Sequence, residues 1–132
     1  MEIRGITFTH PGATSQVLHG VSFTTAPGGI TAILGPNGSG KTTIFNCISG
    51  IWTGNSGEVL FRGDDISRKR PHERAGIISV VPQHHEPAFP YTVFQAVLMG
   101  RAPHIGMFSA PSKKDRETAA AAIETMGLSA LK

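Results

Sequence analysis

Nine consecutive residues constrain this chain more than any others: Gly35-Pro36-Asn37-Gly38-Ser39-Gly40-Lys41-Thr42-Thr43. They match G-x-x-x-x-G-K-[ST], a spacing with a physical mechanism behind it. Presenting several backbone N–H groups to one concavity requires backbone conformations and a closeness of approach that only glycine tolerates, which is the place of Gly38 and Gly40. Where such a loop opens a helix, the first N–H groups have no intrahelical partner and the helix dipole adds a positive end. The ligand that suits this arrangement is a polyanion, a nucleoside triphosphate. Lys41 brings a full charge to the β- and γ-phosphates, and the Thr42 hydroxyl is a hard oxygen ligand for Mg²⁺. At background frequencies the four fixed positions match by chance in a chain this long at roughly the half-per-cent level.

The motif needs a buried strand before it and a helix after it, and the sequence predicts both. Ile30-Thr31-Ala32-Ile33-Leu34 is short and mostly apolar, the pattern of a strand buried on both faces. Lys41 to Ser49 carries Ile44, Phe45, Cys47 and Ile48 as one helical face and stops at Gly50. Upstream, Ile3 to Thr9 alternates, with Ile6 and Phe8 against Thr7 and Thr9, and Val17 to Thr24 resumes after the turn-forming Pro11 to Ser15. The two segments predict an antiparallel hairpin. Downstream, Glu58 to Phe61 reads as a short strand closed by Arg62-Gly63-Asp64-Asp65, Pro71 to Ala75 as a helical turn, and Ile77 to Val81 as a second buried strand stopped by Pro82. Thr92 caps a helix over Val93 to Met99, and Ser112 caps one over Lys113 to Met126 with Ala119, Ala122, Ile123 and Met126 on one face.

Composition narrows the function classes. A chain of 132 residues with 39% hydrophobic content suits one domain with a real core, and its 16 glycines serve local geometry rather than disorder. The single cysteine excludes a disulfide framework and a cysteine-ligated zinc site. No charged leader with an apolar stretch opens the sequence, and the longest apolar run, Ala119 to Ile123, is far short of the ~20 residues that span a bilayer. A net charge of +3 is too small and too scattered to argue nucleic acid.

The loop with its neighbours resembles the ATP-binding-cassette ATPases, in which G-P-N-G-[SA]-G-K-[ST]-T is common. Leu18 to Leu34 is similar to the lead-in L-x-x-V-S-F…G-x-x-x-x-I-L of that family. Ser56 to Ile66 resembles its S-G-x-I-x-x-x-G-x-D-I strand and turn, and Val81-Pro82-Gln83 its Q-loop. Within the family, Thr92 to Phe108 and the following helix resemble the ATPases of iron–siderophore, haem and cobalamin importers, which carry T-V-x-x-x-V-x-x-G-R-x-P-H; molybdate and other metal-chelate importers share it.

The resemblance implies an α/β P-loop NTPase nucleotide-binding domain, truncated, with an N-terminal antiparallel β hairpin. Residues 1–83 would form the ATP-binding core and 84–132 the start of the helical subdomain. Gly35 to Thr43 would bind ATP, and Lys41 and Gln83 would act in catalysis. Thr42 and Gln83 would face Mg²⁺, with the Gln83 amide sensing the γ-phosphate. The adenine-stacking place falls to His10, with Phe8 left to the core. The segment from His84 to Phe108 would receive a transmembrane permease, with Phe89, Pro90, Tyr91 and Phe94 as an apolar cup. A second ATPase subunit would complete a homodimer at the cytoplasmic face of the membrane, served indirectly by a substrate-binding protein. The family's signature sequence, acidic strand and switch histidine do not occur in these 132 residues, so the chain is expected to bind nucleotide weakly and not to turn it over.

Other features have plainer readings. Arg68-Lys69-Arg70 reads as a solvated loop, and His84-His85 beside Glu86 as loop polarity rather than a metal site, since adjacent extended residues point opposite ways. Cys47 reads as a small core residue and Trp52 as packing over the end of the helix after the loop. Arg101 and His104 are open between a partner contact and a surface role, and Met99, Met107 and Met126 read as filler of core or interface. Two alternatives remain at this level: a soluble cassette ATPase acting on DNA or the ribosome, and a nucleotide sensor that never hydrolyses. Arg101 is the one Lys or Arg between Phe89 and Phe108, among several apolar residues, which favours a protein partner over phosphates.

Overall fold

The computed structural model describes residues 1–83, 89–106 and 108–131. Two compact units divide the chain, Met1–Ser79 and Val80–Lys132.

The first unit is built on four antiparallel strands, β1 (Glu2–Thr9), β2 (Gln16–Thr24), β3 (Ser56–Phe61) and β4 (Asp64–Asp65), in the order β2-β1-β3-β4. Ile3, Ile6 and Phe8 of β1 are all buried, although strict alternation would set Ile3 on the opposite face from the other two. A bulge resolves the conflict. From Ile3 to Ile6 the partner β2 advances only from Phe23 to Val21, and β3 advances only from Glu58 to Ser56 while β1 runs from Arg4 to Thr7. Gly5 absorbs the extra residue at φ 57°, and its N–H donates to Ser22 Oγ at 2.8 Å. Gly57 lies against this bulge: a Cβ there would sit 2.6 Å from the carbonyl oxygens of both Arg4 and Gly5.

Helix α1 (Lys41–Ser49) buries Thr43, Ile44 and Cys47. Ile44 and Cys47 join Ile3, Ile6, Phe8, Leu18, Val59 and Ile66 in one core. Cys47 is therefore the small core residue expected, and burial pushes its thiol pKa up. Phe45, expected on the same face, is exposed. At 100° per residue it turns away from the stripe that Ile44, Cys47 and Ile48 form. Gly50 ends the helix at φ 78°.

Two expected strands are not formed. Ile30 to Leu34 and Ile77 to Val81 have no regular structure, and Ile30, Leu34, Val80 and Val81 are exposed. Only Ile33, Ile77 and Ile78 pack against the core. A strand needs a neighbour for its N–H and C=O groups, and among the described residues no strand lies beside either run.

The short helix α2 (Pro71–Ala75) forms as expected. Its Arg74 closes the unit in a way the sequence did not suggest. Nε donates to the Ile66 carbonyl at 3.0 Å and Nη2 to the Ser67 carbonyl. Nη1 fills the space a Cβ on Gly50 would need, which sets a cation at the C-terminal end of α1, where the helix dipole favours one.

The second unit contains α3 (Val93–Met99), a 3₁₀ turn at Ala102–His104 and α4 (Lys113–Thr125). Thr92 and Gln95 form a reciprocal cap on α3, and Ser112 and Asp115 do the same on α4. The buried stripe of α4 is Asp115, Ala119 and Ile123, spaced by four; Ala122 and Met126, expected inside, are exposed. Gly127 at φ 69° ends α4 in a Schellman turn, with Leu128 N–H donating to the Ile123 carbonyl at 3.0 Å and Gly127 N–H to Glu124 at 2.9 Å.

Candidate functional site

The loop of Gly35 to Gly40 leads into α1 at Lys41, as the motif requires. Gly38 and Gly40 take positive φ values of 82° and 88°. Gly35 is needed for space, since a Cβ there would lie 2.6 Å from Ser39 Oγ. Gly40, the N-cap, has no side chain to accept from the first helical N–H groups, so these donors remain for a ligand. Lys41 folds back over the loop, its Nζ donating to the carbonyls of Gly35 at 2.9 Å and Pro36 at 2.7 Å. Residues 35–50 contain no carboxylate, so nothing on this segment offsets the ammonium or the positive helix end. Thr42 is exposed at the helix start, whereas Thr43 is buried against the sheet side.

β2 seats this loop. A Cβ on Gly40 would lie 3.0 Å from Leu18 Cδ2 and 3.6 Å from Val17 Cγ1. Leu18 pairs with Phe8 of β1, and Gln16 with Thr9. His10 directly follows β1. It is exposed and belongs to a three-ring cluster. Its centroid is 5.0 Å from Phe8 and 5.1 Å from Trp52, and Phe8 and Trp52 stack 5.3 Å apart with planes 11° from parallel. The backbone N–H of Trp52 donates to the Asn46 carbonyl of α1 at 3.1 Å, and the indole packs against the core through Phe8. Its stacking on Phe8 had no sequence signal beyond the aromatic residue types. Phe8 is core, as expected.

Gln83 belongs to the second unit, where it is exposed at a bend. The structure thus brings His10 and Gly35 to Thr43 together in one unit and places Gln83 in the other. His84, His85 and Glu86 lie outside the described residues, as does Met107. An apolar groove of about 310 Å³ runs along α3, lined by Tyr91, Gln95, Leu98, Met99, Ala102, Ile105 and Pro111. Of the expected cup, Tyr91 lines this groove and Phe89 packs edge-on to Tyr91 with centroids 6.0 Å apart. Phe94 is half-buried and takes no part in the lining. Arg101 is an internal anchor: its Nε donates to Asp115 Oδ1 at 3.1 Å. Hydrogen bonds from Ser112, and then from Arg101, hold the Asp115 carboxyl below its ordinary pKa. His104 is exposed.

Among the described residues no group of three His, Cys, Asp or Glu side chains could hold a metal ion by itself. The donor set fits a Mg²⁺ that arrives on a triphosphate, since that ion keeps most of its water and takes one or two protein ligands. The Thr42 hydroxyl is exposed and open to such a role.

Residues 18–132 match the family described as ABC transporter. The chain is 34% identical to a "Probable iron chelatin transport ATP-binding protein" of Helicobacter pylori, covering 100% of this chain and 51% of that protein. It is 47% identical over 98 residues to the "Hemin import ATP-binding protein HmuV" of Rhizobium meliloti, covering 74% of this chain and 37% of the other. The chain spans about half the length, or less, of these curated relatives. Among solved structures, a nucleotide-free ATP-binding cassette from an ABC transporter superposes with TM-score 0.81 at 28% identity, covering 98% of this chain and 55% of that one. The cbiO1 protein of Clostridium perfringens, part of the complex cbiONQ, superposes with TM-score 0.74 at 27% identity, covering 99% and 51%.

Proposed function

Because the chain belongs to the ABC transporter family, we propose that it is the nucleotide-binding part of an ATPase subunit driving uptake of a metal chelate such as haem, an iron–siderophore or cobalamin. The observation that carries the reading is the uncapped start of α1 with Lys41 gathered over the glycine loop. The cargo class rests on the names of the relatives, which are iron-chelate and hemin import proteins.

The residues divide the work as follows. The N–H groups of Gly38 to Thr43 take the phosphate oxygens, as oriented donors that need no reorganisation. Lys41 exchanges its loop carbonyls for the β- and γ-phosphates. Bound Mg²⁺ supplies charge neutralisation between those phosphates, and Thr42 and Gln83 would hold it. Gln83 orients the attacking water by donating and accepting through one amide. Pro36, Asn37 and Ser39 shape the loop, Gly35 clears it, and His10 stacks on the base.

Residues 1–83 act as the ATP-binding core and 84–132 open the helical subdomain. The apolar groove beside Tyr91 and Met99 receives a helix of the transmembrane permease. A second copy of the subunit completes the ATP site, and a substrate-binding protein feeds the permease. The subunit sits peripherally on the cytoplasmic face of the membrane; among the described residues no helix is long and apolar enough to cross one.

The test is titration of the protein in its full coding length with Mg-ATP. Wild type binds, and Lys41→Ala loses at least about tenfold in affinity, the scale of a lost charge-assisted contact. Retained affinity in Lys41→Ala overturns the site. The isolated chain 1–132 shows no steady ATP turnover.

A further inference from the structure

We infer that Trp52 is a positioning residue for the nucleotide base, acting through His10. The inference rests on the reading of Gly35 to Thr43 as the triphosphate site, and it adds a residue that the motif does not contain.

A single imidazole on a strand end is a poor platform. It is small, and a side chain free to rotate loses conformational entropy when a base stacks on it. Here the ring is held by two others. Its plane stands 89° from that of Phe8 and 77° from that of Trp52, at centroid distances of 5.0 and 5.1 Å. These T-shaped contacts suit the opposed charge of ring edge and ring face. The Trp52 indole is in turn held by its stack on buried Phe8, while its main-chain N–H joins the residue to Asn46 of α1. Residue 52 therefore links the imidazole to the helix that begins at the phosphate loop, through its ring on one side and its backbone on the other. The same helix start contacts β2 at Leu18, which pairs with Phe8. Base platform and phosphate loop are thus joined twice, once through β2 and once through Trp52. His10 remains exposed, so the buttressed ring is open to a ligand.

The experiment compares Mg-ATP with Mg-tripolyphosphate, which has the phosphates and no base, by calorimetric titration of the full-length protein. Trp52→Leu is expected to weaken Mg-ATP about three- to tenfold, the worth of an aromatic pair, and to leave tripolyphosphate unchanged. Trp52→Phe, which keeps a ring, should return Mg-ATP to within about twofold of wild type. In a His10→Ala background, Trp52→Leu should have no further effect. Equal losses for both ligands would mark Trp52 as merely structural and overturn the inference, as would no loss for either or an undiminished loss without His10. Wild type binding tripolyphosphate but showing no gain from the base also overturns it, while leaving the phosphate site standing. Wild type binding neither ligand removes the phosphate site itself, and the inference with it.

Discussion

Two segments of the first unit, β1 (Glu2–Thr9) and the more apolar run over residues 30–34, have opposite fates. Ile3 of β1 is 1% exposed, whereas Leu34, in the run leading to the phosphate loop, is 89% exposed. Hydrophobicity does not separate them. β1 has β2 on one side and β3 on the other, which satisfy its backbone, and α1 covers its inward face. The run over residues 30–34 has no ladder partner among the described residues, and its side chains stay in solvent apart from the half-buried Ile33. An apolar strand is stable only where its backbone is paired first.

The contrast can be broken or sharpened by substitution, with stability of the 132-residue chain read by urea denaturation. Ile3→Ala, in the paired strand, should cost about 2–5 kcal/mol. Gly57→Ala should cost about 1–3 kcal/mol, because φ is 99° there and the new methyl meets the β1 backbone. Leu34→Ala should change stability by no more than about 0.5 kcal/mol, as for an exposed side chain. A loss at Leu34 matching that at Ile3 would mean that the run is buried after all.

Acid titration carries the comparison to the second unit, where α4 is anchored by a polar group rather than by a ladder. The Asp115 carboxyl has its folded pKa lowered by Ser112 and Arg101. Its contribution is therefore complete above the unfolded carboxylate value of about 3.9 and is lost as pH falls through the lower folded value. Helical circular dichroism of α4 should be flat from neutral pH to about 5 and decline below about 4. Asp115→Asn should remove most of that decline.

What the sequence made legible was local. The glycine loop, the span of α1, the β1–β2 hairpin and the caps at Thr92 and Ser112 depend on residues a few positions apart, and all of them formed. Most of the misses come from dependence on distant partners: the strand expected over 30–34 needed neighbours, and Arg101 was claimed by Asp115 from fourteen residues away. Phe45 is a local miss, since helical phase alone turns it off the stripe of Ile44, Cys47 and Ile48. The bulge at Gly5 was half visible, because Ile3 broke the phase of Ile6 and Phe8, and a glycine between them was the signal. The Arg74 contact with Gly50 and the Trp52 stack on Phe8 had no comparable signal, since each joins elements far apart in the chain.

The ammonium of Lys41, moored to two carbonyls of its own loop, has a consequence for how an incoming polyanion is caught. In the triphosphate site proposed above, capture would then be a substitution at a cradle already held in shape rather than the ordering of a slack one. Neutral acceptors would leave the cation and charged ones take their place, a stronger charge-assisted bond.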